Sequence, residues 1–414
     1  MQPLQFSQMA LTKKISSHNF KAFLWHATFL AFAKNFMDVD TIIPSMIVES
    51  GGGAMHIGIL TAIMMGGSSF TQLFFAPYLS NKTYKKKFLL AAINTRVFAL
   101  FGLGALLFLL TTQQHNYVLW LVFFFITAFS LAGAFANISY VDILGKSVNQ
   151  DKRKTFFSTT QIISGVIVLS AAFLAKRMLE WKEYPLNYAF MFFTGAVLLL
   201  IATAGFWSIK EVVPSQLKIS GLKAFFKVLK TELKENKKLV YFLGYINTQG
   251  VAISFLPFII LYSKQMFQTE SSDAGIYLIY KVIGVVFVSV LVLLGAKKVK
   301  YNLLLFSNVI LSLALAVLAL LLKDASSIKY IFIIGGVVYS LFSMSMNGLL
   351  LEVSGNENRA LYTGFAGAGN ILPAIFPLIG GSIITAFGFN TFFILFMVII
   401  LLAAYFIYKI DCKK

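Results

Sequence analysis

Lys34, Asp38 and Asp40 fall within seven positions of "FAKNFMDVDTIIP", residues 32–44, inside a run of chain that is otherwise soluble in lipid. A charge at the centre of a bilayer costs about 2.5 to 3.5 kcal/mol on insertion scales, so three this close together need a compensating environment. Carboxylates can take up and release a proton or another cation, and a lysine one turn away can neutralise them, so the chemistry suggested is ion coupling. On a helix advancing about 100° per residue, Lys34, Asp38, Thr41 and Ser45 form one polar stripe, while Asp40 points about 200° away from Asp38. The stripe predicts a face turned to a water-accessible centre, because in hydrocarbon its groups lack partners. Pro44 has no N–H to give the carbonyl of Asp40, which predicts a bend there.

Two further charges lie inside apolar runs. Lys281, in "GIYLIYKVIG", sits about eight residues from one end of its run, about 12 Å at 1.5 Å per residue, a depth comparable to that of Asp38. Tyr277 precedes it by one turn on the same face. Arg96, in "INTRVFAL", is shallower. Lys281 and Arg96 can present positive charge to an anionic or strongly hydrogen-bonding solute, and Tyr277 is a further candidate solute contact. The amides Gln72, Asn137, Gln161, Asn247, Gln249, Asn347 and Asn370 are candidate solute contacts, although amides serve equally well to bond helix to helix. The one cysteine, Cys412, and four scattered histidines, His18, His26, His56 and His115, show no metal-ligand or disulfide spacing, so no cofactor is expected.

The elements that must position these groups are helices in a membrane. Of 414 residues, 58% are hydrophobic and 12% charged, about half the charge of an ordinary soluble domain. Twelve apolar stretches are long enough to cross about 30 Å of hydrocarbon, near 22–48, 55–79, 88–110, 117–143, 156–175, 187–209, 239–263, 273–295, 301–322, 330–352, 360–387 and 390–408. With both termini inside, 26 of the 35 Lys and Arg fall in cytoplasmic segments and 6 in outer loops. That is the positive-inside pattern of an inner-membrane protein with cytoplasmic termini. The net charge of +19 therefore records topology and excludes a nucleic-acid surface. No cleavage site follows the first run, which is kept as a span.

The longest polar insertion, 210–238, divides the spans six and six into an N-terminal bundle (1–209) and a C-terminal bundle (239–414). Within it, Leu222, Phe225, Phe226, Leu229 and Leu233 oppose Lys223, Lys227, Lys230 and Lys234, the pattern of a helix lying on a membrane surface. The halves also repeat weakly. "NISYVD" ends at Asp142 and "NGLLLE" at Glu352, and each is followed by a basic residue, Arg153 or Arg359, before the next span. Asp142, Arg153, Glu352 and Arg359 are read as a latch at the cytoplasmic edge.

Taken together, "EVSGNENR", the Lys-rich loop "PYLSNKTYKKKFLL" and the twelve spans with inner termini resemble the major facilitator superfamily over nearly the whole chain. The first resembles the acid, six residues, arginine element of its sugar porters. The second resembles the family's loop signature, with Asn81 in place of an Asp and Tyr84 in place of a Gly. The resemblance implies two bundles rocking about one central site. The expectation is an all-α membrane protein of two pseudo-symmetric six-helix bundles and no enzymatic activity. It is expected to work as a monomer in the lipid bilayer, moving a small polar or anionic solute with a coupling cation, a proton. The alternative is a proton-coupled exporter of amphipathic compounds. Asp38, Lys34 and Asp40 are the expected ion-coupling residues.

Overall fold

The computed structural model describes residues 11–110, 116–215, 221–295, 301–354 and 359–410, and the described residues form helices and connecting turns without a strand. The side chains of Gln72, Gln161, Asn347, Glu352 and Arg359 lie outside the described residues. In chain order the helices are α1 (Lys13–Phe36), α2 (Ile42–Glu49), α3 (Ala54–Ser80), α4 (Lys86–Leu109), α5 (Asn116–Ser147), α6 (Gln150–Trp181) and α7 (Leu186–Ser208). They continue with α8 (Leu222–Glu235), α9 (Lys237–Gln249), α10 (Phe255–Phe267), α11 (Ser271–Gly295), α12 (Tyr301–Leu321), α13 (Ile328–Ser354), α14 (Arg359–Gly369) and α15 (Ile371–Ile410). Eight segments of this set are both long and apolar enough to cross a membrane.

Two groups of helices emerge from their contacts. In the first, α1 lies against α6 and α7, α4 against α5 and α7, and α3 against α5. In the second, α11 and α12 lie against α13, and α9 and α12 against α15. The groups meet chiefly through α3 with α15, α6 with α11, and α2 with α10 and α11. Gly58 makes the first of these contacts possible, since a Cβ there would sit 2.5 Å from the carbonyl oxygen of Pro377. Large apolar side chains such as Phe98, Trp120, Leu294 and Phe387 point outward, as a lipid-facing rim requires.

Four discontinuities shape the interior. Between α1 and α2 the backbone leaves the helix at Met37 and re-enters at Ile42. The Asp38 carboxylate drives this locally, with Oδ1 accepting from the Asp40 N–H at 3.0 Å and from the Thr41 hydroxyl at 2.9 Å, a turn that competes with helix. Pro44 then falls in the first turn of α2, where its missing N–H costs nothing. The chain therefore opens one turn earlier than the expected bend at Pro44. A 3-10 turn at Gly250–Ser254 separates α9 from α10. Within α15, Gly388 adopts φ 81°, ψ 174°, a conformation open to glycine, and turns residues 389–410 back against the segment before it.

The fourth break, between α14 and α15, is held by Asn247 from α9. Its Nδ2 donates to the carbonyls of Leu243 and Gly369, and its Oδ1 accepts from the N–H groups of Ile371 at 3.0 Å and Leu372 at 2.8 Å. Three of the amide's four bonds thus go to backbone at the break, which would otherwise be left unpaired, and the fourth anchors it to the Leu243 carbonyl of α9. Asn247→Ala is expected to lower the thermal unfolding midpoint of the purified protein clearly, as loss of buried partners costing about 1 to 3 kcal/mol demands. Asn247→Asp keeps the acceptor and should recover part of the loss. An unchanged midpoint in the alanine variant would show that the break holds itself.

Candidate functional site

Residues 37–41, freed from the helix, carry Asp38 and Asp40 to one point instead of to opposite faces. Lys281 of α11 reaches across from the second group and places its ammonium 2.7 Å from Asp38 Oδ2 and 2.5 Å from Asp40 Oδ2. The three side chains are 16%, 6% and 9% exposed, so two negative charges and one positive share a nearly dry site. The Tyr339 ring lies 5.8 Å from the same ammonium. The separation expected between Asp38 and Asp40 fails because the wheel assumes a helix that has ended at Phe36. The expected Lys34–Asp38 pairing is absent for the same reason, since Asp38 Oδ2 is taken by Lys281 and its Oδ1 by the turn.

A second inter-group ion pair lies farther along, where Lys264 of α10 donates to Glu49 at the end of α2 at 2.8 Å. Close by, the hydroxyls of Ser45 and Tyr188 are 2.7 Å apart, and Tyr184 donates to Ser50 at 3.0 Å. With the α3–α15 approach, these contacts join the two groups at the end of the molecule at which α2 finishes and α3 begins.

Toward the opposite end, where α1 starts and α7 finishes, the first group encloses a cavity of about 600 Å³. Lys34, Arg96, Asn137 and Tyr140 line it, together with Phe129 and Met64. Lys34 and Asn137 are exposed to it. The Arg96 guanidinium lies 4.1 Å from the Phe129 ring centroid, and its Nε is buried without a hydrogen-bond partner. Lys34 and Arg96 are close enough to feel each other's charge. Among the described residues no carboxylate lines the cavity. His26 also borders it, buried rather than reaching to an interface, its ring stacked 3.6 Å from Phe206 and its Nδ1 bonded to the Ala202 carbonyl.

Other residues singled out as solute contacts are placed elsewhere. Tyr277 is 4% exposed and stacks flat on Phe332 at 4.7 Å, away from the cavity lining. Gln249 is fully buried and donates to Ser312 at 2.7 Å, tying α9 to α12. Asn247 and Asn370 belong to the break before α15, and Asn370 Oδ1 is buried without a partner. Lys281 is engaged by the two aspartates and does not line the cavity. Thr160 and Ser164 of α6 do line it and were missed, since hydroxyls on an apolar helix carry little signal until their neighbours are known.

At the cavity end the latch takes a form different from the one read in the chain. Asp142 pairs with Lys85 at 2.8 Å and Lys146 at 2.9 Å and accepts from the Ser215 hydroxyl at 2.7 Å. Glu211 pairs with Lys146 at 2.8 Å and accepts from the N–H groups of Lys85 and Lys86. Arg153 turns back on the carbonyls of Gly145 and Val148, the last turn of α5, as basic side chains do at helix C-termini. The cluster therefore ties the 81–85 loop, the end of α5 and the start of the linker together within the first group. Glu352 and Arg359, the other expected members, lie outside the described residues.

The helix arrangement is that of known carriers. A variant of the nucleoside transporter NupG superposes with a TM-score of 0.70 at 13% identity, covering 95% of this chain and 100% of that one. A POT family transporter in complex with a thioalcohol-conjugated peptide gives 0.68 at 11% identity, covering 95% and 96%. A D-xylose-proton symporter gives 0.67 at 14% identity, covering 94% and 97%. At such identities the likeness is one of fold. No curated protein sequence is significantly similar to the chain. The family model for the Major Facilitator Superfamily matches residues 24–370. A multi-pass helical chain with that match over most of its length belongs to the Major Facilitator Superfamily of membrane transporters.

Proposed function

We propose that the protein is a secondary active transporter that moves a small polar solute by alternating access, coupled to a cation, a proton, through Asp38 and Asp40. The observation that carries this is the bridge from Lys281 to both aspartates, because it joins the two helix groups through opposite charges. The proposal takes the chain as twelve spans in two six-helix bundles, 1–209 and 239–414, joined by 210–238. It acts as a monomer in the cytoplasmic membrane with both termini inside. The helix contacts within each group and the crowding of lysines at the cavity end support that layout.

In this arrangement the cavity faces the cytoplasm and the outer end is closed. Opening the outer end draws Lys281, with the second bundle, away from the two carboxylates. Parting the charges while the site is still shielded from water leaves both carboxylates ionised at a cost of several kcal/mol, which protons or other cations entering from outside remove. When the outer end closes again, Lys281 re-pairs with the carboxylates and displaces the cation. Lys34, one turn before the break, is the alternative partner for Asp38 when residues 37–41 rearrange. Solute and cation move together because one motion governs access to both. The Asp142 and Glu211 cluster keeps the linker fixed to the first bundle during that motion.

In proteoliposomes offered labelled sugars, carboxylates and peptides with and without a pH gradient, Asp38→Asn is expected to abolish gradient-driven accumulation while sparing solute exchange. Wild-type accumulation in that variant would remove Asp38 from coupling. Lys281→Met should also loosen the closed outer end. In a Cys412→Ser background, Ser45→Cys should then react several-fold faster with an impermeant maleimide applied from the outside, and Lys281→Arg should restore slow labelling. Equal rates for lysine and methionine at 281 would show that the bridge does not hold the closed state.

A further inference from the structure

Lys34 and Arg96 carry two positive charges into one cavity, and neither has an anionic partner among the described residues. Leaving such charges uncompensated at membrane depth is costly, and here the two also repel each other. The other titratable groups on the walls, His26 and Tyr140, supply no negative charge. A guanidinium held over the Phe129 ring with its Nε unpaired has donor capacity left for a planar or tetrahedral anionic group, while a lysine offers a mobile point charge. Beyond these two cations the walls are chiefly apolar, including Leu30, Met64, Phe129, Val168 and Phe206. The volume of about 600 Å³ far exceeds what an inorganic ion fills and falls in the range of sites for small organic ligands.

We infer that the solute is an organic anion, with dianions favoured, whose acidic group sits between Lys34 and Arg96 and whose apolar or aromatic body lies against Phe129 and Met64. This deepens the transporter reading and rests on it for the meaning of the cavity, but binding itself can be measured without transport. Charge recognition then belongs to the first bundle and coupling to the contact between bundles. The asymmetry explains why no carboxylate is needed on the cavity wall, since the arriving anion supplies the missing negative charge.

The test is thermal protection of the purified full-length protein in detergent by four ligands built on one ring, namely phthalate, benzoate, benzamide and benzylamine, together with phenyl phosphate. Protection is expected in the order dianion, monoanion, then neutral, with none from the amine, and it should weaken as ionic strength rises. Lys34→Gln and Arg96→Gln should each lower apparent affinity by about tenfold or more, the scale of one charge-assisted hydrogen bond. The charge-keeping Lys34→Arg and Arg96→Lys should retain most of it, which separates lost recognition from lost folding. Equal protection by benzamide and phthalate overturns the inference. So does protection by inorganic phosphate equal to that by phenyl phosphate, or a panel in which nothing protects. Thermal protection in detergent needs no gradient and gradient-driven uptake in proteoliposomes does, so failure of anion recognition and failure of coupling are read in separate experiments.

Discussion

A single ammonium bridging two carboxylates across a helix break is the constraint around which the molecule is arranged. Asp38 and Asp40 converge only because residues 37–41 are not helical, and those residues stay out of the helix partly because the Asp38 side chain caps the turn. The cap and the ion pair use different oxygens of one carboxylate, so the local conformation and the inter-group contact are the same interaction seen from two sides. Buried charge of this kind contributes little net stability when complete but is expensive to leave half made. It therefore acts less as glue than as a condition on which arrangements of the two helix groups are permitted.

The break also sorts charge along the first span. Lys34 lies on the helical side and lines the cavity, whereas Asp38 and Asp40 lie beyond it, turned to the second group. A continuous helix would have stacked Lys34 over Asp38 and cancelled both. Interrupting the helix keeps a positive wall for the cavity and a negative patch for the bridge within a few residues. On the proposed mechanism that proximity matters, because a change in the pairing of Asp38 is transmitted to Lys34 through one turn of backbone.

Much of this was legible in the chain. The all-helical, membrane-spanning character of the chain and the matching depths of Asp38 and Lys281 follow from local composition and length. What was not legible depends on partners distant in sequence. The wheel that separated Asp38 from Asp40 was sound for a helix and failed because a short capping side chain ended the helix first. Asn247 and Gln249 read as solute contacts because an amide in an apolar run must bond to something, and only the fold reveals that the something is a broken backbone in one case and Ser312 in the other. Arg153 and Asp142 read as members of one latch, yet Lys85 and Lys146 pair with the aspartate and carbonyls at the end of α5 claim the arginine.

The two helix groups share a plan but divide the labour of charge unequally. One group begins with a helix interrupted at 37–41 and the other with a helix interrupted at Gly250–Ser254, the kind of discontinuity from which transporter binding sites are built. The first interruption carries two acids; the second carries only small or apolar residues, all but one buried. The second group's contribution of charge is Lys281, displaced one helix along in α11. If each half carried its own acid and base, each could neutralise itself and the halves could separate freely. Because the negative charge of the bridge belongs to one half and the positive charge to the other, separation at that end leaves both unbalanced, and an ion from solution must take the vacated place. The coupling proposed here therefore depends on the halves being dissimilar at the point where their architecture is most alike.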